Sequence, residues 1–183
     1  MKLRLFIGLP LTEGIIKKID FLEKDLQNKA KINFPWIPLD NLHLTIIFLG
    51  YLDYQDYLKL IEALKCINYN QAIKAEIEKI DYAPLPSKKM VWLYLKRNFE
   101  LENLKKEIEE MLDKEKINYQ KENRQFLPHI NLARLKKNLY LPEIKKDLNW
   151  DIYFNKLVLF KSELKSSGAV YERLLELSLN FPP

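Results

Sequence analysis

Hydrophobic positions along this chain switch between two periods, and each switch marks an element. Residues 2–9 alternate, with Leu3, Leu5 and Ile7 on one side and Arg4 and Phe6 on the other, which predicts a strand ended by Pro10. Ile15, Ile16, Ile19, Leu22 and Leu26 then recur at helical spacing, so a helix runs from a Thr12 cap to about Lys29. A Pro-containing loop over 33–38 leads into HLTIIFLG at 43–50, a β-branched strand closed by Gly50. Residues 54–67 return to helical spacing through Tyr54, Leu58, Ile61 and Leu64, and the alternation of Ile73, Ala75 and Ile77 predicts another strand. Pro84 and Pro86 mark a loop.

The order then repeats. A strand at 91–95, a helix through Leu101, Leu104, Ile108, Met111 and Leu112, a polar connection and the apolar segment FLPHINLAR follow in turn. The separation is 86 positions in each case: 5 to 91, 15 to 101, and 43 to 129. A tandem duplication of a β-α-β unit explains this economically. The chain is predicted to finish with a short helix opened by Pro142, a strand over 152–160, a KSSG turn at 165–168 and a strand over 169–179.

Composition narrows the chemistry. At 183 residues, 48% of them hydrophobic and 30% charged, the chain reads as one globular unit. A net charge of +5 permits an anionic substrate without pointing to duplex DNA. The single cysteine, Cys66, excludes an internal disulfide framework and a Cys-rich zinc site; it is expected to be a buried small residue, and a reducing cytoplasm is the simple inference. No run of about 18 apolar residues predicts a membrane span, and no signal-peptide pattern opens the chain. Four glycines, none in a phosphate-binding loop, argue against nucleotide-binding folds of the P-loop or dinucleotide type.

The two histidines, His43 and His129, hold equivalent places in the repeat. Residues i and i+2 of a strand share a face, so His43 lies beside Thr45, and His129 beside Asn131. Alternation sends Leu44, Ile46 and Phe48 to the core, and Ile130, Leu132 and Arg134 likewise. If the halves pack about a pseudo-two-fold axis, the two imidazoles face each other across a cleft. That pair suits phosphodiester cleavage: one neutral ring takes a proton from the attacking oxygen, and one protonated ring gives a proton to the leaving oxygen. Thr45 and Asn131 can donate to non-bridging oxygens, and Arg134 is near enough in sequence to add charge if a bulge turns it round. Against this stands the plainer reading of two structural histidines. Two histidines without cysteine or an evident carboxylate make a poor zinc set, so no metal is expected. Trp36, Trp92 and Trp150 read most simply as core residues.

The segments RLFIGLPL, FPWIPLDNLHLTIIFLG, FLPHINLAR and LVLFKSELKSSGAVYERL, in this order and spacing, resemble the RNA 2′,3′-cyclic phosphodiesterase (2′-5′ RNA ligase) branch of the 2H phosphoesterase superfamily, over nearly the whole chain. The resemblance implies an α+β, bilobal fold with antiparallel sheets lining a central cleft, a single domain of two pseudo-symmetric lobes with its motifs at 43–45 and 129–131. It implies opening of a terminal 2′,3′-cyclic phosphate to a 2′-phosphate without metal or other cofactor. His43 is then the general acid and His129 the general base. The reverse reaction joins RNA ends without ATP. Arg124 and Tyr171 fall in segments resembling the family's cleft edge, which makes Arg124 a candidate for phosphate steering and Tyr171 for base stacking; a surface arginine and an exposed tyrosine are the plainer alternative. The expected partner is RNA with a cyclic phosphate end, such as tRNA halves, with no DNA or membrane partner, and the expected state is a cytoplasmic monomer.

One position departs from the family, which has Thr or Ser where this chain has Asn131. That departure motivates one alternative, a catalytically weakened RNA- or nucleotide-binding module; within the superfamily a 3′-end exonuclease and a hydrolase of small cyclic nucleotides are the others.

Overall fold

The computed structural model describes residues 2–31, 33–67, 71–122, 124–135, 142–165 and 168–180. Its elements are β1 (Lys2–Pro10), α1 (Glu13–Ala30), β2 (His43–Asp53), α2 (Tyr54–Lys65), β3 (Ile73–Ala83), β4 (Met90–Leu95), α3 (Phe99–Lys114), β5 (His129–Arg134), β6 (Lys146–Phe154), β7 (Lys156–Lys165) and β8 (Gly168–Ser178). Each helix buries one stripe and leaves a charged face to solvent, as the spacing predicts for α1 and α3; in α2 the stripe is shifted, and Tyr54 and Leu58, expected on it, are exposed. The stripes are Ile15, Ile19, Leu22 and Leu26 in α1, Leu60 and Leu64 in α2, and Leu101, Leu104, Ile108 and Leu112 in α3. Asp53 and Asn98 cap α2 and α3 through their side chains, whereas the Thr12 hydroxyl makes no cap bond and only its carbonyl accepts from Ile15 and Ile16.

The strands form a sheet of order β6-β3-β4-β5-β2-β1-β7-β8, antiparallel at every pairing. Its centre is thin: β2 and β5 meet through the single pair Leu44–Ile130. From that seam the order outward is β2-β1-β7-β8 on one side and β5-β4-β3-β6 on the other. One strand of each half therefore crosses over: β3 pairs with β4 of the second half, and β7 with β1 of the first. The α+β fold with a repeated β-α-β order is as the sequence predicts. Side chains of Leu3, Leu5, Ile7 and Leu9 face one large core shared with the helices, while Phe6 joins Val158 and Phe160 in a small cluster on the opposite face.

Several local expectations are corrected. Cys66 is exposed, because it caps the end of α2, where the apolar stripe has already turned away. Residues 142–145 are coil where a helix was expected, and β6 begins at Lys146. The expected strand over 152–160 is two strands, broken at Asn155, whose carbonyl accepts from Leu179. β2 runs past Gly50 to Asp53, with Gly50 at φ +76° inside an irregular stretch. The inner residues of the KSSG turn lie outside the described residues; its ends, Lys165 and Gly168, are paired.

Candidate active site

The site grows from two matching irregularities. Along β2, Gly8 of β1 pairs with Thr45 and Ile7 with Ile47, so Ile46 is an extra residue without a partner. Along β5, Trp92 of β4 pairs with Asn131 and Val91 with Ala133, so Leu132 is the extra one. Each bulge buries two consecutive residues, Ile46 with Ile47 and Leu132 with Ala133, and flips the alternation that follows. Phe48 and Arg134 are thereby turned onto the histidine face. Strict alternation assigns both to the core; Arg134 reaches the cavity by a bulge of the kind needed to turn it round, and Phe48 is corrected from core to cleft wall.

These strands line a cavity of about 520 Å³. It collects every residue singled out in the sequence: His43, Thr45, His129, Asn131, Arg134, Arg124 and Tyr171. It also collects residues that the sequence did not mark as part of a site, chiefly Arg4, Phe6, Phe48, Trp92 and Ser162. Four cations line it (Arg4, Arg124, Arg134 and Lys165) and, among the described residues, no carboxylate does. Trp92 is buried, as a core residue would be, yet it forms the wall on which His129 stacks, with ring centroids 3.6 Å apart.

Both imidazoles are held the same way. His43 Nδ1 lies 2.7 Å from the Asn41 carbonyl, and His129 Nδ1 lies 2.8 Å from the Leu127 carbonyl. A carbonyl only accepts, so each Nδ1 carries the proton and each neutral ring presents its Nε2 lone pair. Thr45 Oγ1 stands 3.1 Å from His43 Nε2 and donates to it in that state. Phe6 stacks on His43 at 4.7 Å, and Tyr171 stands edge-on to it at 5.2 Å. Gly8 makes the approach possible: a Cβ there would meet the Leu44 carbonyl at 2.9 Å and His43 Cδ2 at 3.3 Å.

Burial sets the electrostatics. It pulls the His43 pKa down to about 4; the bond to Asn41 opposes this, and the charge of His129 adds to it. Burial also lowers His129, with the Leu127 bond opposing and Arg124 adding. Both shifts favour the neutral ring, most strongly for His43. Arg124 is exposed and bonded to Glu122 at 3.0 and 3.2 Å, so its charge is partly offset. Tyr171 is raised by burial, with Arg134 and Arg4 opposing. The Asn131 Oδ1 and Trp92 Nε1 atoms are buried without a hydrogen-bond partner, on residues that face each other across the ladder.

An antiparallel α+β fold that brings one histidine from each half to a shared cationic cleft is the architecture of the 2H phosphoesterases, and comparison with known proteins agrees. Among solved structures, E. coli LigT complexed with 3′-AMP superposes with a TM-score of 0.74 at 21% identity, over 98% of this chain and 99% of that one. A structure from Thermus thermophilus superposes with a TM-score of 0.77 at 23% identity, over 97% and 98%. No protein-family model matches. A curated Thermus thermophilus protein named RNA 2′,3′-cyclic phosphodiesterase is 30% identical over 188 residues, covering 97% of this chain and 90% of its own. One of that name from Methanocaldococcus jannaschii is 29% identical over 182 residues, covering 95% and 99%. The chain belongs to the RNA 2′,3′-cyclic phosphodiesterase family, and it is an enzyme of the 2H phosphoesterase type. Among the described residues no helix is long and apolar enough to cross a membrane.

Proposed function

We propose that this protein opens the 2′,3′-cyclic phosphate at an RNA end to a 2′-phosphate, with His129 as general base and His43 as general acid. The observation that carries the reading is the pair of imidazoles on equivalent strands, each pinned at Nδ1 to the carbonyl two residues before it, which leaves each Nε2 for proton transfer, that of His43 beside the Thr45 hydroxyl. His129 Nε2 takes a proton from water as its oxygen attacks phosphorus. The P–O3′ bond breaks, and the Nε2–H of protonated His43 gives its proton to O3′. Thr45, Asn131 and Arg134 hold the equatorial oxygens, where negative charge builds. Only a ribose carries the 2′-oxygen that closes such a ring, so the chemistry selects RNA over DNA.

The same geometry supports the reverse step, in which a 5′-hydroxyl replaces water and a 2′-5′ linkage forms at the expense of ring strain; tRNA halves are substrates of suitable chemistry. The test is purified protein with a cyclic-phosphate-ended oligonucleotide in excess EDTA. A 2′-phosphate product is expected, and it should vanish in His43→Ala and in His129→Ala. Full rates in either variant would overturn the assignment. A second reading, an RNA-binding enzyme with an attenuated centre, is favoured by the Asn131 Oδ1, which has no hydrogen-bond partner among the described residues; it predicts RNA binding with slow turnover.

A further inference from the structure

The cleft holds more positive charge than one phosphate needs, and that charge is unevenly placed. Arg134 lies on β5, the central strand that carries His129. Arg4 lies on β1, one strand further from the seam. The halves do not mirror each other here: the repeat sets Met90 opposite Arg4, and Phe48 opposite Arg134. Among the described residues neither arginine makes an ion pair, whereas Arg124 is bonded to Glu122.

Arg4 is firmly held. Its guanidinium carbon sits 4.5 Å from the Phe48 ring centroid, and its Nη1 donates to Ser162 Oγ at 2.6 Å. Ser162 is only 4% exposed, a buried hydroxyl on β7 that faces the cleft. One bond to serine uses one of the five guanidinium N–H groups, and stacking uses none, so the others remain for an anion. Arg4 and Phe6 are i and i+2 on one strand, sharing a face, and Phe6 stacks on His43. Arg4 therefore stands one strand step, roughly 7 Å, past the aromatic that carries the acid. Tyr171, paired across the ladder with Ser162, feels the charge of both arginines.

We propose that Arg4, Ser162 and Tyr171 form a second phosphate site, for the phosphodiester on the 5′ side of the terminal nucleotide. The site rests on the functional reading above and specifies its substrate: an oligonucleotide end is preferred over a free nucleoside 2′,3′-cyclic phosphate. A charge-assisted contact to that diester corresponds to about 10- to 100-fold in kcat/KM. A purely structural Arg4, tying β1 to β7 through Ser162, would not distinguish charged from neutral linkages.

The experiment uses two dinucleotides ending in a 2′,3′-cyclic phosphate, one with a natural internal diester and one with a neutral methylphosphonate at that linkage. Wild-type protein is expected to lose about 10- to 100-fold in kcat/KM on the neutral linkage. Arg4→Met is expected to lose less than about threefold between the same two substrates, because the partner of the charge is already gone. Equal sensitivity in wild type and variant overturns the site. Insensitivity of the wild type overturns it too, and needs no variant to fold. Ring opening of neither dinucleotide by wild type overturns the functional reading itself, and this site with it, which separates the two failures.

Discussion

The proposed mechanism makes His43 the general acid, and with a pKa near 4 it is almost always empty-handed at pH 7: about one molecule in a thousand carries the proton. Substrate must therefore supply the missing stabilisation. A single negative charge about 4 Å from the imidazolium, at the effective dielectric of a partly buried site, contributes about 4 kcal/mol, or about three pKa units. That carries His43 from about 4 to about 7, where half the complexes hold the acid in its working form. The two histidines give only two imidazole signals, so NMR titration with isotope-labelled histidine reads both rings, and His129→Gln assigns them. In the free protein the His43 midpoint should lie well below 6.5. With a saturating nucleoside 2′-phosphate, the product of the proposed reaction, it should rise by about three units. The corresponding sign in kinetics is a fall in kcat as pH rises above about 7, since deprotonating His43 in the complex removes the acid. A His43 midpoint that stays below about 5 in the saturated complex would refute the reasoning, because no acid would then be available at neutral pH.

Other measurements probe the scaffold around that proton. Asn131→Ala removes one candidate phosphate donor and should cost about 10²-fold in kcat with a smaller change in KM; steady-state kinetics on a cyclic-phosphate-ended oligonucleotide checks it. Asn131→Thr tests the family's own side chain, and a rise in kcat of about tenfold or more would show that the native centre is attenuated. Gly8→Ala forces a Cβ against the Leu44 carbonyl and His43, and should lower kcat by about tenfold or more while the protein still melts cooperatively. Glu23 is buried with Oε1 unpartnered, and burial, aided by Asp20, raises its pKa to about 8. A raised folded pKa means stability that is intact below about 4.5 and drains away as pH climbs through 8. Glu23→Gln should accordingly stabilise the protein by on the order of 2–4 kcal/mol at pH 8 and by almost nothing at pH 4, as urea melts at the two values will show.

Much of this site was legible along the chain because strand geometry is local. The period of two alone places Thr45 beside His43 and Asn131 beside His129, whatever the strands later pair with. The constant separation of strand, helix and histidine likewise reported the repeat before any contact was known. Other features had no local signal. A half-apolar tryptophan reads as core in any strand, and only the ladder from β4 to β5 shows that Trp92 is the wall under His129. Arg4 sat in plain view as the polar member of an alternating strand. It became part of a site only when β7, from the far end of the chain, brought Ser162 against it.

What the sequence determined by itself was the facing of the two histidines and of the polar side chain beside each; what the tertiary structure decided was their company. Phe48 and Arg134 follow Ile46 and Leu132, and strict alternation sends both into the core. They reach the cleft because Ile46 and Leu132, two positions earlier, have no partner on β1 and β4 respectively. A bulge is a mismatch of two residues against one, a property of a pair of strands, so neither strand alone contains it.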